Sequence, residues 1–187
     1  MRRILIITGL IMLIWMGAPR NGYSGGPLDP VKLGSLSINV GIGPGAAFFG
    51  NGQGFGFAEK VSVEKGMWDA GPGIVTLGGE FTSSAFRYNF GGGWNESWVN
   101  FFFAARSAYH YGWDVEGLDT YGGIPLGIGF SIHSVDDHPG SHGYTPVYPY
   151  FGVFFGASWF FTKKIGVNGE VGYNSTHANL GVIFKLN

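Results

Sequence analysis

From Leu36 onward, apolar residues alternate with small or polar ones, the period of a strand with two unlike faces. Between Glu96 and Trp113 one face collects Val99, Phe101, Phe103, Ala105, Tyr109 and Tyr111, and the other holds Asn100, Arg106 and His110. Between Tyr121 and His133, Ile124, Leu126, Ile128, Phe130 and Ile132 oppose Gly123, Pro125, Gly127, Gly129, Ser131 and His133. From Tyr148, Phe151, Val153, Phe155, Ala157, Trp159 and Phe161 oppose Tyr150, Gly152, Gly156 and Ser158. The same period runs through the rest of the mature chain with more noise. It predicts eight strands, at about 36–45, 54–66, 73–88, 96–112, 119–133, 148–162, 165–174 and 177–187. Short separators near 66–73, 113–119 and 162–165 alternate with longer ones near 45–54, 88–96 and 134–148, while the last, near 174–176, is short. Glu59 falls on the apolar face but lies far enough from Trp68 to reach the opposite end of a tilted strand.

The face with the bulky rings is too large to fit inside a small barrel, and the other face reads as largely glycine, serine and asparagine. A soluble sandwich or barrel alternates as well, but it would have to enclose the rings. Turning the rings outward toward lipid removes that conflict. The expected fold is therefore all-β: a closed antiparallel transmembrane β-barrel of eight strands in an up-and-down meander. Closure is required because lipid offers no hydrogen-bond partner to an open sheet edge. Tyr109, Tyr111, Trp113, Trp159, Trp68 and Tyr173 fall near strand ends, where aromatic girdles belong.

Composition supports this picture. Charged residues make up 12% of the 187-residue chain, against ~25% for a soluble domain, and aromatics reach 17%. The net charge is −1, with no basic stripe for nucleic acid, and there is no cysteine for a disulfide or thiolate site. Arg2 and Arg3 precede an apolar run from Ile4 to Met16, and Gly22-Tyr23-Ser24 offers a small-x-small cleavage site. The expected organisation is a signal peptide at 1–24, a periplasmic lead at 25–35 and the barrel at 36–187.

The second half carries a resemblance. Leu118-Asp119-Thr120-Tyr121-Gly122-Gly123 resembles an LDVYGG-type strand start. Phe155 to Val167 is similar to a GARYYFT-x-x-xGV turn. Gly169-Glu170-Val171-Gly172-Tyr173 and Asn179 to Leu186 resemble an ELGY…LNVGLSFKF ending. These motifs belong to the small, OmpA/OmpX-like outer-membrane β-barrel family widespread in Bacteroidetes. The resemblance covers about 95–187 and implies a fold, an outer-membrane location, lipid as the surrounding partner, and barrel-assembly machinery during biogenesis. The chain ends in Leu186-Asn187 where that family usually ends in an aromatic residue.

The inward face carries Lys60, Glu64, Glu80, Arg106, Glu170 and Lys185, whose mixed signs predict a paired network that plugs a narrow lumen. Pro125 removes a ladder donor, so a bulge or water is expected beside it. With Pro149 on the next strand it suggests a lateral gap. The third outer loop holds Asp136, Asp137, His138, Ser141 and His142, the densest catalytic-type chemistry, although their spacing matches no metal or hydrolase signature. The leading expectation is a monomeric, non-enzymatic barrel with a structural or interaction role, no open pore, no cofactor and no metal. The alternatives are a narrow carrier of a small apolar ligand near Pro125, and a lipid-modifying enzyme acting through the third outer loop.

Overall fold

The computed structural model describes residues 31–44, 55–89, 95–135, 146–173 and 175–187. Nine strand segments follow one another: β1 Leu36–Pro44, β2 Phe55–Ala70, β3 Gly73–Asn89, β4 Asn95–Gly112, β5 Leu118–Val135, β6 Val147–Phe151, β7 Val153–Phe160, β8 Ile165–Tyr173 and β9 Ala178–Lys185. Each pairs antiparallel with its neighbour in sequence, except that β6 and β7 both pair with β5 and form one barrel wall broken at Gly152. The sheet closes where β1 meets β9, from Ser37↔Lys185 to Ile42↔Leu180. The result is an eight-walled antiparallel barrel in meander order.

Two departures from strict alternation have local causes. Register shifts between Gly66 and Trp68 make Met67 an extra residue on β2. This bulge inverts the in–out pattern, so the alternation read from sequence stops at 66 while the strand itself continues to Ala70. Pro125 does not produce the expected bulge. Gly123 pairs with Phe154 and Leu126 with Phe151 in one unbroken register. The amide of Gly152 donates to the Pro125 carbonyl at 3.2 Å, so the proline forfeits only the return bond. Ladder bonds alternate sides along a strand, which aims the nitrogen of Pro149 away from β5. The two prolines therefore do not share a seam.

Three short connections lie at one end of the barrel. Gly71 (φ 65°) turns the chain between the paired Ala70 and Gly73, a backbone region that excludes most side chains. Gly117 (φ 79°) closes the β4–β5 turn and accepts the Phe160 amide at 2.8 Å. Thr162 caps the β7–β8 turn, its hydroxyl accepting the Ile165 amide at 2.8 Å. Asn187 ties the chain end to β1 by accepting the Leu36 amide at 2.7 Å through its side chain.

The outward face is apolar and exposed: Val40, Phe57, Phe103, Leu126, Phe155, Val171 and Leu180 all point away from the lumen. Trp68, Tyr109, Trp113 and Trp159 gather at the short-turn end, where the indole of Trp113 donates to Thr120 at 2.9 Å, and Tyr173 lies at the opposite end. Glu59 is exposed on the outward face of β2, opposite Ile42 and Ser83. Strands β2 to β5 run 16 to 18 residues, longer than the ~9–11 that cross a bilayer.

The belt is tested by charge. Leu126→Arg, at the middle of the outward stripe of β5, is expected to cost about 2–4 kcal/mol in a bilayer. Guanidinium unfolding of barrels folded into lipid vesicles measures it, and an unchanged midpoint contradicts the outward assignment.

Candidate functional site

The inward parity brings charged residues from four strands into the centre. Arg106 on β4 reaches three carboxylates at once. Its Nε donates to Glu64 on β2, Nη1 to Glu80 on β3 at 2.9 Å, and Nη2 to Glu170 on β8 at 2.7 Å. Lys60 on β2 donates to Glu170 and lies 3.4 Å from Glu80. The remaining oxygens are also engaged. Thr76 donates to Glu64, and Tyr150 donates to Glu80 at 3.0 Å. All six carboxylate oxygens of these three glutamates thus face a donor. The geometry fits the energetics, since a charge taken out of water is tolerable only when paired and hydrogen-bonded. Planar guanidinium suits this position because it offers several donors in a fixed fork.

A second pair extends the network toward the short-turn end. Nδ1 of His110 lies 2.8 Å from Asp119, and its Nε2 lies 3.5 Å from Glu64, with both residues buried. A carboxylate against each ring nitrogen suits donation from both. Lys185 stands apart from the Arg106 knot, with its ammonium 4.3 Å above the Phe160 ring.

The lumen is more aromatic than its sequence face suggested. Phe86, Phe102, Tyr121, Tyr150, Phe154 and Phe160 are all buried inside, so the interior is not merely small and ionic. Glycines on facing strands make the room. A Cβ added at Gly123 would meet the Phe154 ring at 2.6 Å, and one at Gly129 would meet Phe102 at 2.9 Å. The guanidinium of Arg106 lies 3.7 Å over the centre of Phe154, a cation–π contact that strengthens when desolvated. Ring and ion knot together fill the waist.

The connection between β8 and β9 also enters the barrel. Ser175 and Thr176 are buried, the Ser175 hydroxyl donates to Thr82 at 3.0 Å, and its amide donates to Tyr150 at 3.2 Å. The shortness of this separator follows: it folds over the lumen and bonds across it.

The structure thus brings Lys60, Glu64, Glu80, Arg106 and Glu170 into one network and sets Lys185 nearby in the same lumen. Pro125 is buried facing inward, and Pro149 is exposed facing outward. Asp136, Asp137, His138, Ser141 and His142 lie outside the described residues, as do the signal segment and most of the lead. Among the described residues no group of His, Asp or Glu is arranged to hold a metal ion. Sequence reasoning placed His110, Tyr150 and Thr76 on the polar face without a role and passed over Asp119 and Ser175. Asp119 was legible as the first inward position of the Leu118–Gly123 motif. Tyr150 and Thr76 gave no signal beyond parity, and Ser175 gave none.

No family model matches the chain, and no curated protein matches it. Solved structures do. A de novo designed transmembrane β-barrel aligns over 83% of this chain and 98% of its own, with 13% identity and a TM-score of 0.52. The N-terminal β-barrel domain of Pseudomonas aeruginosa OprF aligns over 82% and 98%, with 15% identity and a TM-score of 0.48. Ail, the attachment invasion locus protein of Yersinia pestis, solved with the heparin analogue sucrose octasulfate, aligns over 82% and 96%, with 12% identity and a TM-score of 0.47. The likeness to the designed barrel is one of fold alone: this chain has the architecture of a small transmembrane β-barrel.

Removing the central cation tests the knot. Arg106→Leu strands three carboxylates and is expected to cost about 3–5 kcal/mol or to prevent folding. Arg106→Lys keeps charge but loses the fork, and should fall between wild type and Arg106→Leu. Urea midpoints of the detergent-folded barrels give the order, and equal midpoints for all three contradict it.

Proposed function

We propose that the protein is an integral outer-membrane β-barrel, closed to diffusion, whose work is structural or carried out by binding at its long-loop end. The observation that carries this reading is the engaged set of six carboxylate oxygens beneath a continuous outward apolar belt. Such a waist leaves solutes no passage, and eight walls enclose little more than their own side chains. The apolar belt calls for lipid around it, and the apparent signal segment calls for export. The outer membrane is where closed barrels of this kind reside. The tall β2–β5 wall extends past the length a bilayer needs and supports the loops that would meet a partner.

A carrier using the Pro125 region gains little from the geometry, because Gly152 bonds to Pro125 and the register runs through. Enzymatic chemistry would have to come from the third outer loop, since the lumen hydroxyls that meet a carboxylate, Thr76 on Glu64 and Tyr150 on Glu80, are buried within the ion knot.

Purified protein in planar bilayers is expected to show no steady conductance and to migrate faster unheated than boiled on an SDS gel. The combined variant Lys60→Ala, Glu64→Ala, Glu80→Ala, Arg106→Ala and Glu170→Ala, where still heat-modifiable, should conduct ions. A wild-type protein with steady open-channel current overturns the closed reading.

A further inference from the structure

Three inward polar groups lie on one line of register around the lumen wall, and two more flank its far end. Asp119 on β5 stands opposite Ser158 on β7, Ser158 opposite Asn168 on β8, Asn168 opposite Gly181 on β9, and Gly181 opposite Gly41 on β1. Asn39 and Asn179 sit one inward position away from these two glycines. The line begins at the His110–Asp119 pair and ends where Gly41 faces Lys60, the partner of Glu170.

Along it, hydrogen-bonding capacity goes unused in the protein. Asn39 Oδ1, Asp119 Oδ1, Ser158 Oγ, Asn168 Oδ1 and both polar atoms of the Asn179 amide have no protein partner. All five residues are more than nine-tenths buried: Asn39 is 7% exposed, Asn168 4%, Asn179 3%, Ser158 1% and Asp119 0%. Native interiors leave only a few such groups, and here six of the atoms gather on one stretch of wall. The groups also converge. The position a Cβ would take on Gly181 is 2.8 Å from Asn39 Oδ1 and 2.8 Å from Asn168 Oδ1, and that on Gly41 falls directly against the Asn179 amide. A side chain on either glycine would displace these groups, so the two glycines let the three amides gather on this stretch of wall.

We infer that this file is a built site for ordered water, linking the His110–Asp119 pair to the Lys60–Glu170 pair along the β5–β7–β8–β9–β1 wall. The donor and acceptor chemistry selects the ligand. A cation would meet the Asn179 amide hydrogens and the Lys60 ammonium at the inner end. An anion would meet the carbonyl oxygens of Asn39 and Asn168, with Asp119 at the outer end. A neutral molecule that both donates and accepts satisfies every member, and a buried water takes two to four such partners. The lumen is then two-sided: a dry ring-and-ion knot around Arg106, and a hydrated seam beside it. This goes beyond the closed-barrel reading and would hold wherever the barrel resides.

The test is a high-resolution crystal structure of the detergent-folded protein, together with X-ray radiolytic footprinting in ¹⁸O-labelled water. Ordered water is expected within ~2.7–3.2 Å of Asn39 Oδ1, Asn168 Oδ1 and the Asn179 amide. Tyr121 and Ile183, buried beside the file, should take up ¹⁸O. In the Asn168→Leu, Asn179→Leu variant, shown folded by its heat-modifiable migration, that uptake should fall several-fold while uptake at exposed Trp113 stays unchanged. The proposal is overturned if the amides rotate into direct bonds with one another, if a metal ion or other solute occupies the file, or if Tyr121 and Ile183 remain unlabelled in the wild type.

Discussion

Every feature of this barrel follows from one constraint: a backbone amide in hydrocarbon finds no partner except another strand. An unpaired N–H or C=O there costs several kcal/mol, so the sheet must close on itself, and β1 must find β9. Once it closes, side-chain alternation divides the chain into a lipid face and a lumen face, with no third environment to absorb a misplaced residue. The continuity of the ladder across Pro125 shows how strict the demand is. The proline removes one donor, and the register holds regardless, with Gly152 keeping its own bond to the Pro125 carbonyl.

The second consequence is electrostatic. Charges that the belt excludes collect inside, where low dielectric makes an unpaired ion prohibitive. Arg106 solves this by sharing itself among carboxylates from β2, β3 and β8, and Lys60 joins two of the same groups. The bonds to Glu170 on β8 run across the lumen, not along the wall, so they tie opposite sides of the sheet in a way the ladder cannot. Ser175 adds a tie of the same kind between the β8–β9 connection and β3. The proposed closure to diffusion rests on this bracing at the waist of the lumen.

Much of this was legible in the chain. Period-two alternation located each wall within a few residues, and the inward face carried the residues of the Arg106 knot together with Lys185, which stands outside it. What escaped notice had physical reasons. Met67 inserts one residue and inverts the pattern, which hid the last turn of β2. Phe102, Phe154 and Phe160 stood on the small face and passed unremarked, because the sequence does not reveal that Gly123 and Gly129 on other strands make space for rings. The His110–Asp119 pair joins two strands across a turn, a distance that parity alone does not measure. Pro125 looked like a defect because its effect depends on which neighbour its nitrogen faces, and that is a property of the ladder.

The central claim is that bulky residues face lipid and the paired ions face inward. Because the chain has no cysteine, single spin labels can be placed without background at Phe103, Leu126 and Val171 on the outward face and at Ser62 and Asn100 on the inward face. Power-saturation electron paramagnetic resonance in lipid bilayers then reads oxygen accessibility at each site. The account predicts high oxygen accessibility at the three outward positions and low accessibility at the two inward ones; the reverse pattern, or free water solubility without detergent, contradicts it.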